Sequence, residues 1–296
     1  MPLDPRSQRL LDMLALSGTR AQTSAERRED YRKLMAMAEA PVPILATSEH
    51  VTDGGIPLRC YGPEGATAVL VFFHGGGLVA GSVDTHDGMC RRLAAASGAK
   101  VMSVGYRLAP EAKFPASLDD AHSALVWVHE NSGSLGLDRS QMAIGGDSAG
   151  ALLAALIATG ARKSSIPLRA QLLLCPVVNL AKANGSRAEF ATGYLIDRQT
   201  NAQDIASCFE RGEELPLPLP SPGIIAPPPT IIHAAEYDPF RDEAEELANM
   251  LRASGVPVEF TCHAGMVHSF YGLPAFFPQA DTTLRQAGAQ LARYFV

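Results

Sequence analysis

Cysteine is scarce in this chain. Five occur in 296 residues (Cys60, Cys90, Cys175, Cys208, Cys262), an odd number at wide spacing with no C-x-x-C pair. Neither a disulfide framework nor a zinc site is expected, and reduced thiols point to a cytoplasmic location. Charge is also limited, at 19% of residues, with Lys plus Arg at 25, Asp plus Glu at 31 and a net charge of −6. Without a basic run the chain is a poor nucleic-acid binder and has no pull toward anionic membranes. The N-terminus, MPLDPRSQRLLDMLALSG, lacks a basic start followed by a long apolar run, so no secretory signal is expected. One stretch, Leu215 to Ala235, has no Asp, Glu, Lys or Arg, but seven of its residues are proline (Pro216, Pro218, Pro220, Pro222, Pro227, Pro228, Pro229). Proline blocks helix continuation, so this reads as an extended loop feeding a buried strand and not as a membrane span. The remainder is ordinary: 47% of residues are hydrophobic, enough for a sizeable core and too many for a disordered chain.

The N-terminal residues, as far as Pro41 and Pro43, read as helical. Leu10, Leu11 and Leu14, then Tyr31, Leu34, Met35 and Ala38, recur at helical spacing. Asp53-Gly54-Gly55 between two short runs reads as a hairpin. Short apolar runs then alternate with longer amphipathic ones. Strands are expected at 68–73, 101–106, 142–145, 170–176, 230–235 and 258–262, and helices at 85–96, 116–130, 149–162, 241–253 and 282–295. Continuous apolar strands separated by helices imply a largely parallel sheet covered on both faces. Between Pro176 and Thr230 that rhythm breaks, with helical patches at 188–196 and 200–211 before the proline run. So long a spacer is usually functional, and with the N-terminal helices it reads as a lid.

The sharpest local signal is Gly146-Asp147-Ser148-Ala149-Gly150, a G-x-S-x-G run between an expected strand and an expected helix. Such an elbow exposes the serine hydroxyl at a strand tip and aims the next amide, on Ala149, at the space beside it. Alone the motif fits many turns; its strand–helix context makes Ser148 a nucleophile candidate. His74-Gly75-Gly76-Gly77 directly follows the strand at 68–73. Successive glycine amides suit an oxyanion; a flexible turn or a phosphate-cradling loop also fits, although no G-x-G-x-x-G and no Gly-Lys-Ser/Thr accompanies it. A serine nucleophile needs a base and an orienting carboxylate, in the order Ser, acid, His. Of eight histidines, His268 lies in a loop just after the last strand and can reach the strand tips, whereas His233, inside an apolar strand, reads as core. Asp238 is the sharper acid because Pro239 keeps it out of helix. Asp242 and Glu243 suit the positive end of the following helix.

Taken in order, these pieces resemble the hormone-sensitive-lipase family of bacterial esterases. The matching segments are HGGG at 74–77, Tyr106-Arg107-Leu108-Ala109-Pro110-Glu111, Phe114-Pro115-Ala116 leading into Leu118-Asp119-Asp120-Ala121, GDSAG at 146–150, EYDPFRDE at 236–243, and Gly265-Met266-Val267-His268-Ser269-Phe270. The resemblance implies an α/β-hydrolase fold, with a central, mostly parallel eight-stranded sheet flanked by helices and a helical cap. It divides the chain into a catalytic domain of 46–180 and 226–296 and a cap or lid of 1–45 and 181–225. It makes Ser148 the nucleophile, His268 the base and Asp238 the acid, with oxyanion donors on Gly76, Gly77 and Ala149 and no metal or cofactor. Asp147 and the YRLAPE stretch would hold loops around the site, with Arg107 and Glu111 as a supporting pair. Departures from the family pattern at Leu78, Phe240 and Val177-Val178-Asn179, and a short cap, fall on the pocket and not on the triad.

The activity implied is hydrolysis of short- to medium-chain carboxylic esters through an acyl-enzyme. Leu78, Tyr194, Leu195, Met266 and Val267 are the expected pocket residues, with Phe190, Phe209 and Phe270 in the same loop and cap segments. An amidase or acyltransferase using the same triad, and a non-catalytic small-molecule receptor on this fold, are the rival readings; His268 in its motif weighs against the receptor. The partner implied is a small-molecule ester, with no nucleic acid and no membrane insertion. Members of the family often pair through a sheet edge, which makes a homodimer an expectation.

Overall fold

A computed structural model describes residues 2–16, 23–162, 165–178, 185–210 and 227–295. Strand β1 (Ala46–Val51) turns through Asp53 to Gly55 into β2 (Pro57–Gly62), an antiparallel hairpin at one side of the sheet. Then come β3 (Val69–Phe73), β4 (Lys100–Val104), β5 (Met142–Asp147), β6 (Gln171–Leu174), β7 (Thr230–Tyr237) and β8 (Val258–Val267). Among the described residues the sheet has eight strands in the order β1-β2-β4-β3-β5-β6-β7-β8. It is antiparallel at β1–β2–β4 and parallel from β4 onward. Every residue of β3, β5 and β6 is buried, as continuous apolar runs require in strands covered on both faces.

The helices are α1 (Pro5–Leu16), α2 (Ser24–Met37), α3 (Asp87–Ser97), α4 (Ala116–Glu130), α5 (Ala149–Ala158), α6 (Ser186–Glu189), α7 (Arg198–Cys208), α8 (Arg241–Ala253) and α9 (Pro278–Ala292). Strand alternation sorts the core into two layers. Val69, Val71 and Phe73 of β3 pack with α4, α5 and α8 through residues such as Leu118, Leu152 and Leu247. Leu70 and Phe72 pack on the other face with α3 and α9, through Leu93, Leu284 and Leu291. On α8 the buried Ala244, Leu247, Ala248 and Leu251 make one apolar stripe, the pattern of a helix with one face on the sheet.

Several boundaries differ from the sequence reading. The expected helix 149–162 stops at Ala158, where Thr159 turns its hydroxyl back onto the Ala155 carbonyl. The last helix starts earlier than 282, with Pro278 in its first turn, a position that needs no amide donor. β8 does not end near 262 but follows β7 past an irregularity between Ala235 and Tyr237, through to Val267. The helical patch at 188–196 is reduced to the short α6, and that at 200–211 is α7. Of the uncharged stretch, Pro216, Pro218, Pro220 and Pro222 lie outside the described residues, and its last residues form β7. Among the described residues no helix is long and apolar enough to cross a membrane.

Candidate active site

Ser148 stands between β5 and α5 with φ 52° and ψ −118°, the strained elbow expected of G-x-S-x-G. Its N–H is held by the Leu174 carbonyl at 2.8 Å. The motif's last glycine is dictated by close approach: a Cβ on Gly150 would lie 2.0 Å from the Phe73 carbonyl oxygen. α5 can therefore start directly against the end of β3 only with glycine there.

His268 follows the last residue of β8, and Asp238 follows the last residue of β7, so adjacent parallel strands deliver both to the same end of the sheet. His268 Nε2 lies 2.9 Å from Ser148 Oγ, and Nδ1 lies 2.7 Å from Asp238 Oδ2. All three side chains are buried. Asp238 Oδ1 accepts the Phe240 N–H at 2.8 Å, so its second oxygen is also occupied. The Phe240 ring stands edge-on to the imidazole at 5.1 Å. A carboxylate on Nδ1 fixes the proton there and leaves Nε2 free to accept the serine proton, which a general base requires.

The glycine loop after β3 is held from below. Asp147 Oδ1 accepts the Gly75 N–H at 2.7 Å and lies 3.2 Å from His86 Nε2. Tyr106 donates to the His74 carbonyl at 2.6 Å and stacks on the His74 ring at 4.3 Å. Burial, then the neighbouring His86, pushes His74 down to about 3, so a neutral ring sits behind the loop. Gly76 has φ 118°, and its carbonyl accepts the N–H groups of Val79 and Ala80. Among the described residues the N–H groups of Gly76 and Gly77 make no hydrogen bond, and both residues border a cavity shared with Ser148 and Ala149.

That cavity has a volume of about 590 Å³. Leu11 and Leu14 of α1, Tyr31 and Leu34 of α2, and Ile205 of α7 form its roof, and Leu78, Val177, Tyr194, Leu195 and Phe209 close its sides. Met266 and Val267, named as pocket residues from the sequence, do not line it. β8 continues through both, which packs them in the layer with α3 and α9, and His268 is the first residue to leave the strand. Phe190 and Phe270 are also set back, Phe190 edge-on to Tyr194 and Phe270 in the core. Asn179 lies outside the described residues.

Other supports were assigned differently by the sequence. Arg107 and Glu111 do not pair with each other. Arg107 Nη2 bonds Asp120 Oδ1 at 2.7 Å, and Glu111 takes Arg28 of α2 at 2.6 Å. The Arg28 hydrogen bond, more than its charge, holds the Glu111 carboxyl down at about 2. Arg28 also donates to the carbonyls of Val79 and Ala109, each at 2.8 Å, fixing α2 to the glycine loop. Glu243 does more than suit a helix start. It is buried, accepts the Val178 N–H and pairs with the buried Arg187 of α6. His233 is a satisfied core histidine, bonded to His263 at 2.9 Å and Gln290 at 2.8 Å.

Among the described residues one triplet of metal-type donors is close together: Cys175, Asp238 and His268, within 4.8 Å of one another. Two of the three are already bonded to each other, and burial pushes the Cys175 thiol well up, away from the thiolate a metal would take. The triplet is part of the Ser148 site.

The alpha/beta hydrolase fold family matches the chain over residues 70–272. An arylesterase of Saccharolobus solfataricus is 35% identical over 288 residues, covering 93% of this chain and 94% of that one. Carboxylesterase NlhH of Mycobacterium tuberculosis is 35% identical over 307 residues, covering 98% and 96%. Among solved structures, the hyperthermophilic esterase from the archaeon Pyrobaculum calidifontis has a TM-score of 0.90 at 35% identity, with 99% of both chains covered.

Proposed function

The chain belongs to the alpha/beta hydrolase fold family and is a carboxylesterase of the hormone-sensitive-lipase type, and from that premise we propose that Ser148, His268 and Asp238 are its catalytic triad. The observation that carries this reading is the unbroken chain Asp238–His268–Ser148, with steps of 2.7 and 2.9 Å, at the floor of the cavity. His268 Nε2 takes the Ser148 proton as Oγ attacks the ester carbonyl. Asp238 holds the imidazole and stabilises the imidazolium that forms. The N–H groups of Gly76, Gly77 and Ala149 receive the oxyanion, each such donor being typically worth about 10²–10³ in rate. His268 then protonates the leaving alcohol, and water repeats the path on the acyl-enzyme.

The finer parts of the reading have their own support. A cavity of about 590 Å³ is of small-molecule size and favours short- to medium-chain acyl groups. Segments 1–45 and 181–225 are proposed as a cap on a body of 46–180 and 226–296, because α1, α2 and α7 wall the cavity over Ser148; 1, 17–22, 181–184 and 211–225 of that cap lie outside the described residues. Five unpaired thiols favour a reducing, cytoplasmic setting. β8 ends the sheet with partly exposed residues, which favours pairing of two copies there.

The test is the initial rate across p-nitrophenyl esters of rising acyl length, for wild type and Ser148→Ala. A rate that peaks at short or medium chains and vanishes in the variant is expected. Turnover retained by folded Ser148→Ala, or no turnover at any length by folded wild type, overturns the assignment.

A further inference from the structure

The roof of the cavity carries a pair of charges that the steps above do not use. Arg27 of α2 and Asp204 of α7 both line the cavity with Ser148. The Asp204 carboxylate presses on the glycine loop: a Cβ on Gly77 would meet its Oδ2 at 2.1 Å. Its ionic partner among the described residues is Arg27, at 3.6 Å from Nη2, which is longer than a hydrogen bond. Arg27 is itself incompletely satisfied. Its Nε is buried with no hydrogen-bond partner among the described residues, and its guanidinium rests 5.6 Å from the centre of the Tyr31 ring. Burial lifts Asp204 to about 6 in spite of Arg27, so the surroundings meet its charge poorly.

Two consequences follow for a substrate. A carboxylate charge beside the amides that receive an oxyanion opposes the transition state. An alkyl group laid over the pair would cover two charged groups and return no hydrogen bond. A ligand carboxylate would suit Arg27 and be repelled by Asp204, and an ammonium would do the reverse. A hydroxyl accepts from the guanidinium and donates to the carboxylate at once, and brings no charge.

We propose that Arg27 and Asp204 form a polar subsite that selects esters bearing a hydroxyl group in the part of the substrate lying under α2 and α7. This rests on the assignment of Ser148 as the nucleophile. A hydroxyl that donates to Asp204 draws the carboxylate's charge toward the ligand and away from Gly77, so recognition and oxyanion stabilisation improve together.

Two pairs of esters test this, each exchanging one methyl for one hydroxyl. In the alcohol part, 2-hydroxyethyl butyrate is compared with propyl butyrate; in the acyl part, methyl 3-hydroxybutyrate with methyl 3-methylbutyrate. The readout is the hydroxyl-to-methyl ratio of kcat/KM. Wild type should favour the hydroxyl member of at least one pair by about tenfold or more, and Asp204→Leu and Arg27→Met should each bring that ratio close to one. A wild-type ratio near one for both pairs, with turnover still lost in Ser148→Ala, overturns the subsite and leaves the triad standing. Variants that slow both members of a pair equally would also overturn it, because the charges would then only tie α2 to α7. A preference that survives both substitutions places hydroxyl recognition elsewhere. The wild-type ratio requires no variant, so misfolding of either substitution does not shelter the proposal. Turnover by folded Ser148→Ala would instead remove the reading on which it rests.

Discussion

The floor and the roof of the cavity are held by different means. The floor is the carboxyl end of the sheet, where β5, β7 and β8 deliver Ser148, Asp238 and His268 already buried and bonded to one another. Behind it α5 has nine of its ten residues buried. The roof is made of helices with little core of their own: α2 has no buried residue, and α1 has Ser7 and Leu10. Its attachments are side chains reaching across. Arg28 binds the Val79 and Ala109 carbonyls, Ser7 donates to the Gly265 carbonyl, and Arg187 pairs with Glu243. Proton transfer needs fixed distances, so its groups sit on strand ends; selection of a substrate tolerates a wall hung on adjustable side chains.

The largest effects should come from the floor. Ser148→Ala and His268→Ala should each lower kcat by about 10⁴-fold or more. Ser148→Ala should do so without moving the unfolding midpoint, because it removes one oxygen and leaves the packing, whereas His268→Ala also strips the buried Asp238 of its partner and should lower the midpoint. Stopped-assay rates beside thermal unfolding check both halves. A smaller but still large loss is expected where the roof meets the floor. Glu243→Gln leaves the buried Arg187 without its counter-charge and should cost about 3–5 kcal/mol, read from denaturant midpoints. A loss below about 1 kcal/mol would mean that α6 hangs on other contacts.

In the roof alone the effect should be on binding more than on chemistry. Arg28→Ala removes the hold of α2 on the glycine loop and should raise KM about tenfold with a smaller change in kcat, as loss of an interaction present in both ground and transition states does. A kcat loss as large as that of the triad variants would erase the distinction between the two walls.

The same division governed what could be read in the sequence. GDSAG, HGGG and the loop through His268 are local strings whose chemistry depends on neighbours one or two residues away, so they could be read directly. The apolar runs of β3, β5 and β6 likewise gave a parallel, two-sided sheet. The roof depends on partners far apart in the chain. Helical spacing marks α2, but nothing in its sequence says that Arg27 will meet Asp204 or that Arg28 will take Glu111. The resemblance makes Arg107 and Glu111 a supporting pair, and the fold gives them separate partners, Asp120 and Arg28. A last strand ending near 262 puts Met266 and Val267 in a loop facing the pocket, whereas β8 runs on to Val267. Its continuation comes from pairing with β7, a tertiary fact, and it turns both side chains into the core.

Acid should separate the two walls by sign, with effects comparable to that of Arg28→Ala. In the sheet that carries the floor, burial and then His233 hold His263 down to about 4, against an ordinary value near 6.5. The unfolded chain therefore binds this proton first, and the stability His263 permits is complete above about 6.5 and lost as pH falls toward 4. In the roof Asp204 is raised to about 6, so the folded chain binds its proton first. There stability is gained as pH falls through 6 toward the ordinary carboxylate value near 4. Between pH 7 and 4.5 each contribution should be on the order of 1–2 kcal/mol and opposite in direction. Unfolding free energies at the two pH values resolve them. His263→Gln should lose less stability in acid than wild type, and Asp204→Asn should lose more, because it no longer has the proton to gain. Shifts of the same sign in the two variants would show that the roof shares the floor's electrostatics and is not the more loosely held wall.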